Sequence, residues 1–135
     1  MKNYITFYAD FLGDSKWTET GDILVPEGRQ VVEVIYSMLS QHGFDCSSPK
    51  QHSFYGWAFE INNGRFQCVL QSIDPWLLIC DVQLSLKDKL LRKKHSKEHK
   101  KVLDAINLVL QQDTRFNTIN YFTYEEYKIS EDGIR

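Results

Sequence analysis

Four histidines and three cysteines are scattered through 135 residues, and two arrangements among them invite chemistry. The first is Gln51-His52-Ser53-Phe54-Tyr55-Gly56-Trp57, which sets an imidazole, a hydroxyl and aromatic rings at the entrance to a strand. An imidazole titrates near neutrality, so His52 is a candidate general base for a small hydrolase if Asp74 or Asp81 orients it across a sheet. Hydrolysis also needs a nucleophile and an oxyanion device converging on that base. The chain has no Gly-x-Ser-x-Gly, no helix-borne His/Glu pair and no Cys/His signature, so packing and strand capping is the expected role, and a non-enzyme the expected class. The second arrangement is His95 and His99, spaced by four so that both imidazoles share a helical face, as metal ligands do. They lie among eight Lys/Arg between residues 87 and 101, whose charge repels a divalent cation, and no third ligand is near in sequence. No metal is expected.

Cys46, Cys68 and Cys80 are odd in number and lack CxxC spacing, which argues against a disulfide framework or a structural zinc site. Reduced thiols are expected, with Cys68 and Cys80 packed inside strands and Cys46, in a Ser-rich turn, the most exposed. The seven glycines are too dispersed to cradle a phosphate, and no dinucleotide fingerprint exists, so no cofactor is expected.

Charge is more informative than any motif. The net charge is −2, yet residues 1–86 hold 5 Lys/Arg against 10 Asp/Glu, residues 87–101 hold 8 against 2, and residues 102–135 hold 3 against 6. A nucleic-acid reader is expected to be basic over a face; here one basic segment, Lys87 to Lys101, interrupts an acidic chain. Asp10, Asp14, Glu19 and Asp22 surround Trp17, and Glu125, Glu126, Glu131 and Asp132 cluster near the C-terminus. An aromatic anchor bordered by acids is the composition of an interface for a basic protein.

These residues must be carried by a scaffold whose elements are legible from periodicity. Ile5, Phe7, Ala9 and Phe11 alternate as a strand, residues 13–21 read as an exposed loop, and Ile23-Leu24-Val25 is a short apolar piece. Pro26 starts a helix near Glu27, with Val31, Ile35, Met38 and His42 on one stripe and Gly43 closing it. Residues 44–52 read as a connection. Trp57, Phe59 and Ile61 alternate up to the Asn62-Asn63-Gly64 turn; Phe66, Cys68 and Leu70 return, and Trp76 to Val82 completes a β-meander. Ser85-x-x-Asp88 caps a short helix over 86–94, a longer helix runs from Ser96 to about Asp113, 118–124 is a final strand, and 129–135 frays. The expected fold is one α+β domain over 1–135: an antiparallel sheet of about five strands with two to three helices packed on one face. No apolar run is long enough to cross a bilayer and the N-terminus is too polar for a signal peptide, so a cytoplasmic protein without membrane contact is expected.

From His52-Ser53-Phe54-Tyr55-Gly56-Trp57-Ala58-Phe59-Glu60 through Phe66 to Gln71 and Trp76-Leu77-Leu78-Ile79, the chain resembles small bacterial immunity proteins of contact-dependent growth inhibition and related polymorphic toxin systems. The resemblance covers about Ile23 to Val82 and is carried by a turn and meander, so it transfers no catalytic residue. It implies a non-enzymatic protein that binds a cognate toxin domain, a basic nuclease, and blocks its active site. The expected contact set is Asp10, Asp14, Trp17, Glu19, Asp22, Glu125 and Glu126. The alternative is an RNA-binding or regulatory module using Lys87, Lys89, Arg92, Lys93 and Lys94, with stacking from Tyr55 or Trp57.

Overall fold

In the computed structural model, residues 1–11, 13, 16–17, 19–25, 27–52, 56–83 and 96–134 are described. Chain order is β1 (Tyr4–Ala9), β2 (Lys16–Trp17), β3 (Ile23–Val25), α1 (Arg29–Gln41), β4 (Lys50–His52), β5 (Gly56–Ile61), β6 (Phe66–Gln71), β7 (Trp76–Val82), α2 (Ser96–Gln112), β8 (Phe116–Phe122) and α3 (Tyr124–Ile134). Six strands form one antiparallel sheet in the order β4-β5-β6-β7-β1-β8, and β2 pairs with β3 apart from it. The chain therefore adopts the α+β class, with six strands in place of about five.

Cross-strand partners share a face in an antiparallel ladder, so the register sorts the side chains. Trp57 lies opposite Leu70, Phe59 opposite Cys68 and Ile61 opposite Phe66. Leu78 continues the Leu70 rung and is followed by Ile5. All of these are buried, and they form one core with Val31, Val32, Ile35 and Leu39 of α1 and Val102, Ile106, Val109 and Leu110 of α2. Two helices thus cover one face through the stripes their periodicity announces. The other face carries the rung Ala58, Val69, Ile79, Tyr4, Phe122. Its β8 end is covered by α3, where the Tyr4 ring stacks 5.4 Å from that of Tyr127 and Phe122 meets Tyr127 at 6.2 Å.

The meander turn forms as its sequence requires: Asn62, Asn63 and Gly64 all hold positive φ, and the Arg65 amide donates to the Asn62 carbonyl. Four expectations change. Residues 44–52 contain a strand, β4, short and exposed, held by its ladder to β5 rather than by any apolar pattern. The loop expected over 13–21 contains β2. Helix α1 begins at Arg29, two residues later than Glu27 suggests, because Gly28 takes a left-handed φ of 110° that a helix cannot include; the Trp76 ring fills the space a Cβ would occupy there. The C-terminus does not fray from 129 but continues as α3 to Ile134. The short helix expected over 86–94 lies outside the described residues.

Candidate functional site

Where β1 ends, the chain passes through Asp10 and Phe11 and meets the turn that leads from α2 into β8. The Asp10 amide donates to the Arg115 carbonyl at 2.9 Å, and the Phe11 ring packs at 5.5 Å from Phe116. Arg115 lies over the Phe11 ring, 4.4 Å from its centroid. Its guanidinium also donates to both carboxylate oxygens of Asp113, at 3.0 and 2.7 Å, and its backbone amide adds a third bond at 3.0 Å. Those bonds hold the Asp113 carboxyl below its ordinary range and raise Arg115.

Phe11 separates two connected hollows. One, of about 560 Å³, is walled by Gln30, Glu33, Val34, Ser37 and Met38 of α1 and closed by Asp113 and Arg115. The other, of about 290 Å³, lies between Ala9, Gly13, Glu27, Gly28, Gln30, Val31 and Trp76. Phe11 and Gln30 belong to both, so they form one groove along α1 from Gln30 to Met38. The Glu27 carboxylate lies along it, close enough to Gly13 that a Cβ there would come within 2.9 Å of Oε1. Glu33 is paired with Arg29 at 3.2 Å, one helical turn away. Because Arg115 is committed to Asp113 and Arg29 to Glu33, Glu27 gives the groove its negative sign. An aromatic floor beside an unbalanced carboxylate suits a lysine or arginine side chain of a partner, through charge and through the ring faces.

The seven residues expected to form a contact surface fall into separate places. Asp10 is exposed between Ala9 and Phe11, which line the groove, but itself lines neither hollow. Glu19 and Asp22 are exposed in the turn joining β2 to β3, where Thr20 donates to Asp22 at 3.1 Å. Trp17 belongs to β2 by its backbone; Asp14 and the Trp17 side chain lie outside the described residues. Glu125 and Glu126 are at the opposite end of β1, since Tyr4 pairs with Phe122 and Ala9 with Phe116. Five strand steps, about 17 Å, separate Tyr4 at their end from Ala9 beside Asp10. Glu126 closes a capping box: it accepts from the Thr123 amide at 3.0 Å while its own amide donates to the Thr123 hydroxyl at 3.1 Å, and Lys2 lies 3.7 Å away. The Thr123 amide leads the effects that lower its pKa. Glu126 is therefore a helix-starting residue, and the two acidic clusters are not one surface. The groove's members Phe11, Glu27, Glu33, Trp76, Asp113 and Arg115 come from four distant segments; the one local signal was Asp113-x-Arg115 at a helix end.

His52 is exposed on the edge strand β4, opposite Gly56. Asp81 is in β7, three strands across and about 14 Å away laterally, where it accepts from Asn3 at 2.5 Å. It does not orient the imidazole. His99 is buried, and its Nε2 lies 2.9 Å from the Cys80 carbonyl, the contact of a hydrogen-bonded core histidine. Among the described residues no group of three His, Cys, Asp or Glu side chains is arranged to hold a metal ion; His95 and Lys87 to Lys94 lie outside them. Lys97, Lys100 and Lys101 are exposed on α2. No helix among the described residues is long and apolar enough to cross a membrane. Comparison with protein-family models, with curated proteins and with solved structures gives no match.

Proposed function

We propose that the chain is a non-enzymatic binding protein of the immunity type, which neutralises a cognate bacterial toxin domain by occupying its basic active-site cleft. The observation that carries this reading is the groove beside α1, in which Glu27 borders the Phe11 and Trp76 rings. A nuclease must attract a polyanion, so its cleft is basic, and an acidic inhibitor is steered into it electrostatically. The exposed acidic turn carrying Glu19 and Asp22 extends the same sign beyond the groove. A stable complex of this kind buries on the order of 1,600 Å² in total, more than the groove alone offers, so the β2–β3 hairpin is assigned to the same contact surface.

The test is capture from a lysate of the source cells on the tagged protein at low and moderate salt, with mass spectrometry and a nuclease assay on the eluate. A stoichiometric basic protein, nucleolytic only after separation and lost with Glu27→Lys, is the expected result. Recovery of RNA alone, released as salt rises, would overturn it and move the site to the Lys87–Lys101 segment.

A further inference from the structure

Cys68 and Cys80 are direct cross-strand partners on the core face of the sheet, and both are fully buried. Their position in the ladder is decided by two hydrogen bonds. The Gln83 amide donates to the Arg65 carbonyl at 2.8 Å, so the pair three registers away, Cys68 and Cys80, stands at a position where the two residues exchange no backbone bond. Consistently, the Cys80 amide points the other way and donates to the Asn3 carbonyl at 3.1 Å. At such positions Cα atoms approach to about 4.5 Å and the side chains are closest. That separation is inside the range a disulfide accepts.

We propose that Cys68 and Cys80 form a redox-modification site, closing to a disulfide within the sheet when hydrogen peroxide oxidises the pair. The Cys80 sulfur attacks one peroxide oxygen; the S–O bond forms, the O–O bond breaks, and the departing hydroxide takes a proton to become water. The Cys68 sulfur then attacks the Cys80 sulfur. The S–S bond forms, the S–O bond breaks, and the leaving hydroxide departs as a second water with the Cys68 proton. Two thiols have lost two electrons and the peroxide has gained them.

The neighbourhood assigns Cys80 the attacking role. The Cys68 thiol donates to Cys80, and with His99 this outweighs burial and brings the Cys80 thiol down to about 7, whereas Cys68 is pushed well above its ordinary value by the same hydrogen bond and by burial. For His99, burial opposes protonation, but its bonds to the Cys80 thiol and carbonyl prevail and raise it. The oxidant must be small because both sulfurs are covered. His99 is the fourth residue of α2, so the cover over Cys80 is a helix end, and helix ends fray. That turn is tethered to the meander by Glu98, which accepts from Arg65 at 2.8 Å and from Asn62 at 3.1 Å.

The experiment uses the full chain carrying Cys46→Ser, which removes the half-buried third thiol. After peroxide treatment and denaturation, the number of alkylatable thiols should fall from two to none, the intact mass should fall by two hydrogens, and dithiothreitol should restore both. Cys68→Ala should instead gain oxygen at Cys80 and lose no hydrogens. Glu98→Gln should speed closure roughly two- to fivefold, the factor that loss of an exposed ion pair permits in a local opening equilibrium. Two thiols still alkylatable after a free-thiol peptide in the same tube is fully oxidised, or oxygen addition to Cys80 without an S–S bond when Cys68 is present, would overturn the proposal.

Discussion

His99 shows how a single residue misleads when it is read only with its sequence neighbour. Paired with His95 it suggests a metal; read with Val102, Ile106, Val109 and Leu110 it is the first position of the stripe α2 buries. The periodicity was present, but a polar residue at its head is legible as core only once the Cys80 carbonyl is seen to receive its N–H. Gly56 was likewise readable as a strand residue but not as a necessary one. A Cβ there would land on the Leu70 carbonyl oxygen, so Gly56→Ala must push β5 away from β6. A loss of about 1–3 kcal/mol is expected in urea unfolding, the range for an overpacked core. Asp113 has a pH signature with a definite sign. Its folded pKa is lowered, so its contribution is present above the ordinary carboxyl value of 3.8 and is lost as pH falls through the lower folded value. Because Arg115 is half-exposed, screening limits that contribution to about 0.5 kcal/mol. Asp113→Asn should therefore lower the unfolding midpoint near neutrality and match the parent in strong acid; a difference constant across the titration would show that the charge is not involved.

At the scale of elements, local pattern marks some strands and pairing alone creates others. The meander was legible because alternation and an Asn-Gly turn are local signals. Strand β4 was not, since all three of its residues are exposed and only its ladder to β5 makes it a strand. Helix α3 was legible in principle, because Thr123-x-x-Glu126 is a capping box; its polar surface obscured it. Strand β8, uncharged and at the sheet's edge, carries an irregularity between the pairs Thr6–Asn120 and Tyr8–Asn117, centred on Thr118 at a φ of 53°. A bulge of this kind blunts an edge against pairing with another chain. A β-branched residue in the left-handed region is strained, by about 1–2 kcal/mol. Thr118→Gly relieves that strain and gives back part of it as chain entropy, so a gain of about 0.5–1 kcal/mol is expected by chemical denaturation. A loss instead would mean that the Thr118 side chain stabilises the bulge.

The whole molecule decides which charges act together, and this is where local reading is weakest. Asp10 and Glu126 look alike in sequence, but they flank opposite ends of β1, and one is exposed beside Phe11 while the other starts a helix. The groove itself joins residues near 11, 27–38, 76 and 113–115, whose adjacency follows from the sheet order and from no local pattern. This separation makes the proposed interface testable against the simpler idea that any acidic residue attracts a basic partner. Reversing Glu27 or Glu125 to Lys changes the net charge equally, so a purely global attraction would slow association equally. If the partner enters the groove, Glu27→Lys places a like charge at the contact and should lower the association rate about tenfold at low salt, with the deficit shrinking as the screening length falls. Glu125→Lys, beyond the Tyr4 end of β1 and so about 17 Å of strand from the groove-lining Ala9, should leave that rate within about twofold, because its charge is more than a screening length from the contact in physiological salt. Stopped-flow association with the captured partner, run across a salt series, separates the two. Equal slowing by both variants would assign the attraction to net charge and remove the groove from the interface.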